Sequence, residues 1–188
     1  MVIGDFDVAG VFFAPVEADS RLVVDSYAVM GIFINIIGLI VFLALPLAAA
    51  FIGGLATGSS VDSWYAELSK PEWTPSGRII GAVWSVLYPA MGIAAWLIWL
   101  RRERTSVRVS LMLWAIHLPF NALWSILFFG LQSPGLAFAE LILLWILIAV
   151  TTAAFYTRSI IAGALMTPYL LWVAFAGFLN FRIWWMNL

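Results

Sequence analysis

Residues 109–139 read VSLMLWAIHLPFNALWSILFFGLQSPGLAFA, and this stretch decides how many times the chain crosses a membrane. It contains no Asp, Glu, Lys or Arg, and it is much longer than the ~20 residues that one transmembrane helix requires. The LQSPG sequence at 131–135 is a turn signal, because Pro and Gly interrupt helices. We therefore divide the stretch between two spans, at about 107–130 and 135–157.

Three further apolar segments, at about 28–56, 79–100 and 159–185, bring the number of predicted spans to five. Of the 188 residues, 64% are apolar and 10% are charged, whereas soluble domains carry about 25% charged residues. The apolar segments do not alternate with a period of two, so they are not typical of a β-barrel. The sequence therefore predicts an all-α integral membrane protein, a five-helix transmembrane bundle.

Two segments lie outside the spans of this membrane domain, which covers 28–188. The first is an acidic N-terminal tail at 1–27, which carries carboxylates where a secretory signal would carry Lys or Arg. The second is a loop at 57–77 between the first two spans. Most arginines lie on the same side as the N-terminus, including a cluster at 101–108, so the positive-inside rule places the N-terminus in the cytoplasm.

The polar inventory excludes several kinds of active site. The chain has no cysteine and one histidine, so thiolate chemistry and a bis-histidine haem site within one protomer are excluded. A retinal Schiff base requires a lysine inside a span, and the only lysine, Lys70, lies in the loop. A net charge of −1 is not typical of a nucleic-acid-binding protein. We expect no metal site and no required cofactor.

The chain contains 11 tryptophans, which is more than an aromatic belt at the membrane surface accounts for. Four of them lie well inside the predicted spans: Trp84, Trp124, Trp145 and Trp172. An indole N–H in hydrocarbon needs a hydrogen-bond partner. We therefore expect these side chains to face protein or a ligand cavity.

Two helical faces combine polar and aromatic residues. The face on the third span consists of His117, Asn121, Trp124 and Phe128, at spacings of 4, 3 and 4. The face on the fifth span consists of Pro168, Trp172, Ala176 and the pair Leu179 and Asn180. These faces predict either a ligand cavity between the helices or helix packing held by amide and indole hydrogen bonds, and the residues leave both interpretations open.

Glu140 is the only carboxylate inside a predicted span. An ionisable group in a membrane helix is a candidate functional residue. The spans contain no other carboxylate and only one histidine, His117. We therefore favour a structural or gating pairing of Glu140 over a proton relay. For His117 itself we favour a hydrogen-bonded packing role over haem ligation.

The loop contains the motif WYxxLxKPxWxP at 64–75. Further motifs follow in order: WxxLY at 84–88, LxxNxxW at 118–124, FFG at 128–130, PYLxW at 168–172 and LN at 179–180. This series resembles the translocator protein family, also called tryptophan-rich sensory proteins or peripheral-type benzodiazepine receptors. The resemblance covers about residues 40–185 and involves several unusual motifs in the family's order.

The resemblance implies a five-helix bundle, often dimeric, in which the first loop closes as a lid over a pocket for porphyrins and other hydrophobic ligands. Its motifs and the third-span face together predict these ligand-binding residues: Trp64, Trp73, Tyr88, His117, Asn121, Trp124, Phe128, Trp172, Ala176 and Leu179. The expected partners are porphyrins, hydrophobic small molecules, the lipid bilayer and a second copy of the chain in a homodimer.

The chain departs from the family pattern at several positions. Ser76 replaces the usual second proline of the loop, and His117 stands where a glutamine is often found. Phe181 stands where the cholesterol-recognition pattern at the end of the last span requires a tyrosine. We therefore do not expect tight sterol recognition.

The resulting hypothesis is a membrane receptor for tetrapyrroles such as protoporphyrin IX and haem, acting as a sensor, carrier or regulator in a bacterial cell-envelope membrane or, alternatively, the mitochondrial outer membrane. The propionates of the ligand would meet Lys70 or Arg78. One alternative is light-dependent porphyrin degradation, for which the candidate residues are Trp64, Trp124 and Trp172. Another is a lipid or sterol transporter, which the lack of an inverted repeat or a charged pathway disfavours.

Overall fold

The computed structural model describes the backbone of residues 17–188 and the side chains of Tyr27 and residues 29–188. Its helices are α1 (Glu17–Gly58), α2 (Trp64–Glu67), α3 (Gly77–Trp99), α4 (Arg108–Ser125), α5 (Pro134–Tyr156) and α6 (Ile160–Met186), with a π-helical segment at Ile126–Gly130 that continues α4. Five of these helical stretches are long and apolar enough to cross a membrane. The described residues contain no strand, so the predicted five-helix membrane bundle is confirmed, and the chain is a multi-pass integral membrane protein.

All five candidate spans, the first of which is Val29–Gly58, begin and end within two residues of their predicted bounds. The helix that contains the first span is longer, because α1 begins at Glu17, within the tail that the sequence predicted at 1–27. Residues 17–27 lack Gly and Pro and include the good helix formers Glu, Ala, Arg and Leu, so the helix extends into polar sequence. Residues 1–16 of the predicted tail lie outside the described residues.

The chain divides into two compact units, residues 1–37 and residues 38–188. In the first unit, the described part of α1 exposes large apolar side chains, among them Val29, Met30, Ile32 and Phe33. A helix that is apolar on all sides is typical of a segment surrounded by lipid. The second unit contains the remainder of α1 and all the other helices, and every contact and cavity described below lies within it.

Glycines allow close helix contact in the second unit. A Cβ atom at Gly92 on α3 would lie 2.5 Å from the Phe42 carbonyl oxygen and 3.0 Å from Leu43 Cα, so the backbone of α1 runs directly against α3 there. A Cβ atom at Gly135 on α5 would lie 2.9 Å from Nε1 of Trp184 on α6. Membrane helices have no hydrophobic driving force between them, and they associate through such close packing.

A large aromatic residue on α4 fills the interior near this contact. Trp114 is 1% exposed and donates a hydrogen bond of 3.1 Å from Nε1 to the carbonyl oxygen of Met91 on α3. Its ring also meets the ring of Phe42 on α1, with the centroids 5.4 Å apart. This half of the bundle is therefore filled by side chains, and none of these three residues lines the cavity described next.

Candidate ligand-binding cavity

A cavity of about 1020 Å³ lies in the half of the bundle next to the loop between α1 and α3. Its walls come from residues 47–58 of α1, from the loop and from α3, α4, α5 and α6. The lining is mostly apolar and aromatic, with a few hydroxyl, amide and indole groups. Small-molecule sites have volumes of about 300–1,000 Å³ and this kind of lining, so the cavity is a candidate ligand site of large size.

Most of the residues predicted to bind a ligand meet in this cavity. Those that line it are Tyr88, Asn121, Trp124, Phe128, Trp172, Ala176 and Leu179. The three others, Trp64, Trp73 and His117, do not line it. The helical period predicted which residues of α4 and α6 share one face. The loop has no such period, so the positions of its side chains could not be predicted in this way.

The two loop tryptophans lie behind or outside the cavity wall. The Trp64 ring meets the edge of Phe128, with centroids 5.7 Å apart, and so supports a lining residue from behind. The Trp73 ring stacks on Phe178 of α6, with centroids 5.4 Å apart and an angle of 11° between the planes. Both residues are 45–57% exposed, so Trp73 holds the loop against the outside of α6.

His117 lies in the core behind the cavity. It is 0% exposed, and its ring packs against the ring of Tyr169 with centroids 5.6 Å apart. Nδ1 is hydrogen-bonded to the carbonyl oxygen of Trp114, and because a carbonyl only accepts, Nδ1 carries the proton. Nε2 has no hydrogen-bond partner among the described residues. His117 therefore packs in the core and is held by a backbone hydrogen bond.

A short π-helical turn shapes the wall at the end of α4. Ile126–Gly130 forms this turn, in which the consecutive residues Phe128 and Phe129 are both buried and both line the cavity. The hydroxyl of Ser60 donates a 2.8 Å hydrogen bond to the Phe129 carbonyl oxygen. Single π-helical turns occur frequently at functional sites. Nothing in the apolar sequence of this turn predicts it.

Two amides join the helices around the cavity. The Tyr88 hydroxyl donates to Oδ1 of Asn121 at 2.6 Å, and Nδ2 of Asn121 donates to the Tyr169 hydroxyl oxygen at 2.8 Å. Nδ2 of Asn180 donates to the carbonyl oxygen of Pro134 at 2.8 Å. These amides therefore hold helices together, as one interpretation of the sequence predicted, and they also line the cavity.

The indole N–H of Trp172 is a buried donor in the wall of the cavity. Nε1 of Trp172 is buried and has no hydrogen-bond partner among the described residues. Its ring packs against Phe175 with centroids 5.3 Å apart, and both residues line the cavity. A buried N–H without a partner costs about 1–3 kcal/mol, so a ligand whose acceptor reaches this atom after a small shift of the wall gains affinity.

Lys70 and Tyr65 connect the loop to the cavity. The Lys70 ammonium donates to the carbonyl oxygens of Tyr65 at 2.6 Å and Ala66 at 3.1 Å, at the end of α2. It also lies 4.6 Å from the centre of the Tyr65 ring. Burial raises the pKa of the Tyr65 phenol above its usual value. Of the two cations expected near a ligand's carboxylates, Lys70 lines the cavity and the exposed Arg78 does not.

The sequence missed other lining residues. They include Ser85 on α3, Ser125 on α4, and Gly53, Gly54 and Gly58 on α1, while Trp84 on α3 was expected to face protein or a cavity but was not among the predicted binding residues. Trp84 had a usable signal, because it lies four residues before Tyr88 and therefore on the same helical face. The glycines had none, since a residue without a side chain marks close packing and open space equally well.

The described residues do not provide the pairing predicted for Glu140. Its side chain is 7% exposed on the buried face of α5, and neither carboxylate oxygen has a hydrogen-bond partner among the described residues. It also does not line the cavity, although its neighbour Leu141 does. The expectation was wrong because the partner of a buried carboxylate depends on which side chains the neighbouring helices direct towards it.

Comparison with known proteins agrees with this architecture. The model of the TspO/MBR family matches residues 42–186. The chain is 39% identical over 154 residues to the tryptophan-rich protein TspO of Chlorobaculum tepidum, covering 81% of this chain and 98% of that protein. It is 39% identical over 145 residues to the translocator protein of Bos taurus, covering 76% of this chain and 86% of the other.

A third relative carries a name that describes a role. The chain is 35% identical over 141 residues to the tryptophan-rich sensory protein of Cereibacter sphaeroides, covering 75% of this chain and 85% of that protein. These relationships support a general role as a membrane receptor or regulator. The match of the family model over most of the chain, together with relatives of this similarity and coverage, shows that this five-helix membrane protein belongs to the TspO/MBR family.

Proposed function

We propose that the cavity binds flat, largely apolar molecules of the tetrapyrrole class, with protoporphyrin IX as the reference ligand, and that the chain acts as their membrane receptor. The observation that carries this proposal is a large aromatic-walled cavity whose wall includes Trp172, an indole without a hydrogen-bond partner among the described residues. The membrane location agrees with it, because such ligands partition into lipid.

The walls of the cavity suit a flat ligand. On α3, the rings of Trp84 and Tyr88 are stacked, with centroids 5.1 Å apart and an angle of 26°. On α4, the rings of Trp124 and Phe128 are stacked at 5.2 Å and the same angle. All four residues line the cavity. Aromatic rings bury large areas and prefer offset-stacked or edge-on contacts, so the face of a macrocycle is a favourable partner.

The free polar groups of the cavity suit a ligand that carries acceptors. Most amide hydrogen-bonding groups near the cavity already have partners within the protein, whereas the N–H of Trp172, buried within the wall, has none among the described residues. Lys70 has used two of its three ammonium protons on backbone carbonyls, so one remains for a carboxylate. A tetrapyrrole with ring nitrogens and propionates brings acceptors of both kinds.

A dark titration of the purified protein with protoporphyrin IX, followed by tryptophan fluorescence, tests the proposal. We expect saturable quenching in the wild type. Trp172→Phe keeps an aromatic ring but removes the donor, and we expect its affinity to fall about fivefold, which corresponds to one hydrogen bond of about 1 kcal/mol. The matched control is Trp145→Phe, because Trp145 is 39% exposed and does not line the cavity. Non-saturable quenching that is equal in all three proteins would contradict ligand binding.

A second candidate is light-dependent degradation of the bound porphyrin. The observation that favours it is that Trp124 and Trp172, two of its three candidate residues, line the same cavity. The third, Trp64, lies behind Phe128. Illumination of the titrated sample distinguishes the two functions. Loss of porphyrin absorbance at the rate of a protein-free control means binding alone, whereas faster loss that disappears in Trp124→Phe and Trp172→Phe indicates an enzyme.

A further inference from the structure

We propose that ligands enter and leave this cavity sideways, from the hydrocarbon of the bilayer, through an opening between residues 47–58 of α1 and residues 77–85 of α3. The proposal rests on the proposed function, since it describes the route of a ligand that the cavity binds. Residues 47–58 and 79–85 carry no charge, and Arg78, at the start of α3, does not line the cavity, so the ligand class that the opening admits is an apolar molecule already dissolved in lipid.

The exposed part of the cavity lining marks this opening. The lining residues that are exposed at the protein surface are Leu47, Gly54, Gly58, Gly77, Gly81 and Ser85. All of them lie on α1 or α3. The lining residues from the loop, α4, α5 and α6 are buried or half-buried. The cavity therefore meets its surroundings between α1 and α3, and it is walled on the other sides.

The spacing of α1 and α3 changes along their length. At Gly92 the two backbones are in direct contact, because a Cβ atom there would meet Phe42 and Leu43. Towards the loop, a Cβ atom at Gly54, Gly58, Gly77 or Gly81 would meet nothing within 4 Å. In contrast, a Cβ atom at Gly53, which faces α4, would lie 3.0 Å from the Ser125 hydroxyl oxygen. The helices thus touch at one end and leave open space at the end that contains the cavity.

The opening reaches well into the membrane. Leu47 precedes Gly58 at the end of α1 by about 16 Å of helix, and Ser85 follows Gly77 at the start of α3 by about 12 Å, at a rise of 1.5 Å per residue. The hydrocarbon core of a bilayer is about 30 Å thick. An opening that extends this far down two membrane-spanning helices faces acyl chains and not only the water above the loop.

The loop, by contrast, is fastened at both ends. The backbone N–H of Ser69 donates to Oδ1 of Asn187 at 3.0 Å, and Nδ2 of Asn187 donates back to the Ser69 carbonyl oxygen at 2.9 Å. Nearer to α1, the buried Ser60 hydroxyl is bonded to the Phe129 carbonyl. Opening the loop as a lid would break these hydrogen bonds and separate the Trp73 ring from Phe178. The sideways route requires none of this.

Stopped-flow mixing of protoporphyrin IX with the full chain in lipid nanodiscs tests the route. Gly81→Leu and Gly54→Leu place a large side chain in the opening, where no atom obstructs it. We expect the association and dissociation rate constants to fall together by about tenfold, the factor that a barrier higher by about 1.4 kcal/mol produces. Gly31→Leu is the control, because that glycine also has open space around it but does not line the cavity.

Asn187→Ala tests the competing route, because it releases the loop and leaves the opening unchanged. If ligands pass the loop, this variant exchanges ligand faster while Gly81→Leu and Gly54→Leu match the wild type, and that result overturns the proposal. A fall in the association rate constant alone would mean only that the cavity became smaller, which also overturns it. Absence of saturable binding in the wild type would instead reject the proposed function itself, so the two failures are distinguishable.

Discussion

The indole N–H of Trp124 donates a 2.9 Å hydrogen bond to Oδ1 of Asn180, and this contact joins α4 to α6 at the wall of the cavity. Asn180 in turn donates to the carbonyl of Pro134 at the start of α5. Three helices therefore meet at one amide that is 1% exposed. A polar side chain inside a membrane protein here determines how the helices are arranged around a site.

Removing the indole donor at this junction should destabilise the bundle. Trp124→Phe leaves Oδ1 of Asn180 buried without its donor, and hydrogen bonds between membrane helices contribute about 0.6 kcal/mol on average and up to about 1.7. We expect a lower thermal unfolding temperature in detergent than for Trp145→Phe, which changes an exposed ring. Equal unfolding temperatures for the two variants would show that the Trp124–Asn180 hydrogen bond contributes nothing to stability.

Replacing a glycine of α3 by alanine should destabilise the protein where α1 and α3 are in contact, but not where they are apart. Gly92→Ala drives a Cβ atom into the backbone of Phe42 and Leu43, and overpacking of this kind typically costs about 1–3 kcal/mol. Gly81→Ala meets no atom within 4 Å, and alanine is the better helix former by about 1 kcal/mol. We expect the unfolding temperature to fall in the first variant and to stay or rise in the second. The reverse order would contradict the described approach of the two helices.

The pair formed by Asn187 and Ser69 should control the mobility of the loop. Asn187→Ala removes both hydrogen bonds to Ser69, so backbone amides of residues 59–76 should exchange with deuterium faster, while those of α5 stay unchanged. Asn187→Asp keeps an acceptor for the Ser69 N–H but loses the donor, so it should lie between the alanine variant and the wild type. Unchanged exchange in both variants would show that other contacts hold the loop.

Replacing the buried carboxyl of Glu140 by an apolar side chain should stabilise the protein. Its two oxygens are buried without hydrogen-bond partners among the described residues, and mutational data put the cost of such burial at about 1–3 kcal/mol. We expect Glu140→Met to raise the unfolding temperature and Glu140→Gln, which remains polar, to raise it little or not at all. A lower temperature for Glu140→Met would mean that the carboxyl has a partner in the assembled protein.

Alkaline pH should reveal the burial of Tyr65. Burial raises the pKa of this phenol in the folded protein, so the unfolded chain loses the proton first as the pH rises. The stability contributed by the neutral phenol is therefore complete below about pH 10, the ordinary tyrosine value, and declines as the pH rises from there to the higher pKa of the folded state. We expect the free energy of unfolding to fall less steeply above pH 10 in Tyr65→Phe than in the wild type. Identical slopes would contradict the burial of Tyr65.

The number and position of the membrane spans follow from the residue pattern. A backbone in lipid has to satisfy its own hydrogen bonds, so each apolar run of sufficient length becomes a helix. The LQSPG sequence at 131–135 divides two such runs, and α4 with its π-helical end and α5 begin and end at residues close to those predicted. Only at α1 is the helix much longer than the apolar run, because polar residues extend it back to Glu17.

The 3.6-residue period also identified which side chains of α4 and α6 share a face, and thereby most of the cavity residues predicted for those helices. It did not determine what each face meets. His117 lies on the predicted face of α4, one turn from Asn121, yet it packs behind Tyr169 and away from the cavity. A helical face spans several turns, and a cavity takes up only part of that length.

Only the tertiary structure determined the hydrogen-bond partners of the buried polar side chains and the space between the helices. Whether Asn180 bonds to Trp124, whether Glu140 has a partner and where α1 separates from α3 all depend on the rotation and tilt of whole helices. The length and hydrophobicity of a span do not specify these angles, since packing against neighbouring helices sets them. The pattern of residues thus determines a local property, the helix in lipid, whereas the cavity and its opening arise only from the way the five helices pack.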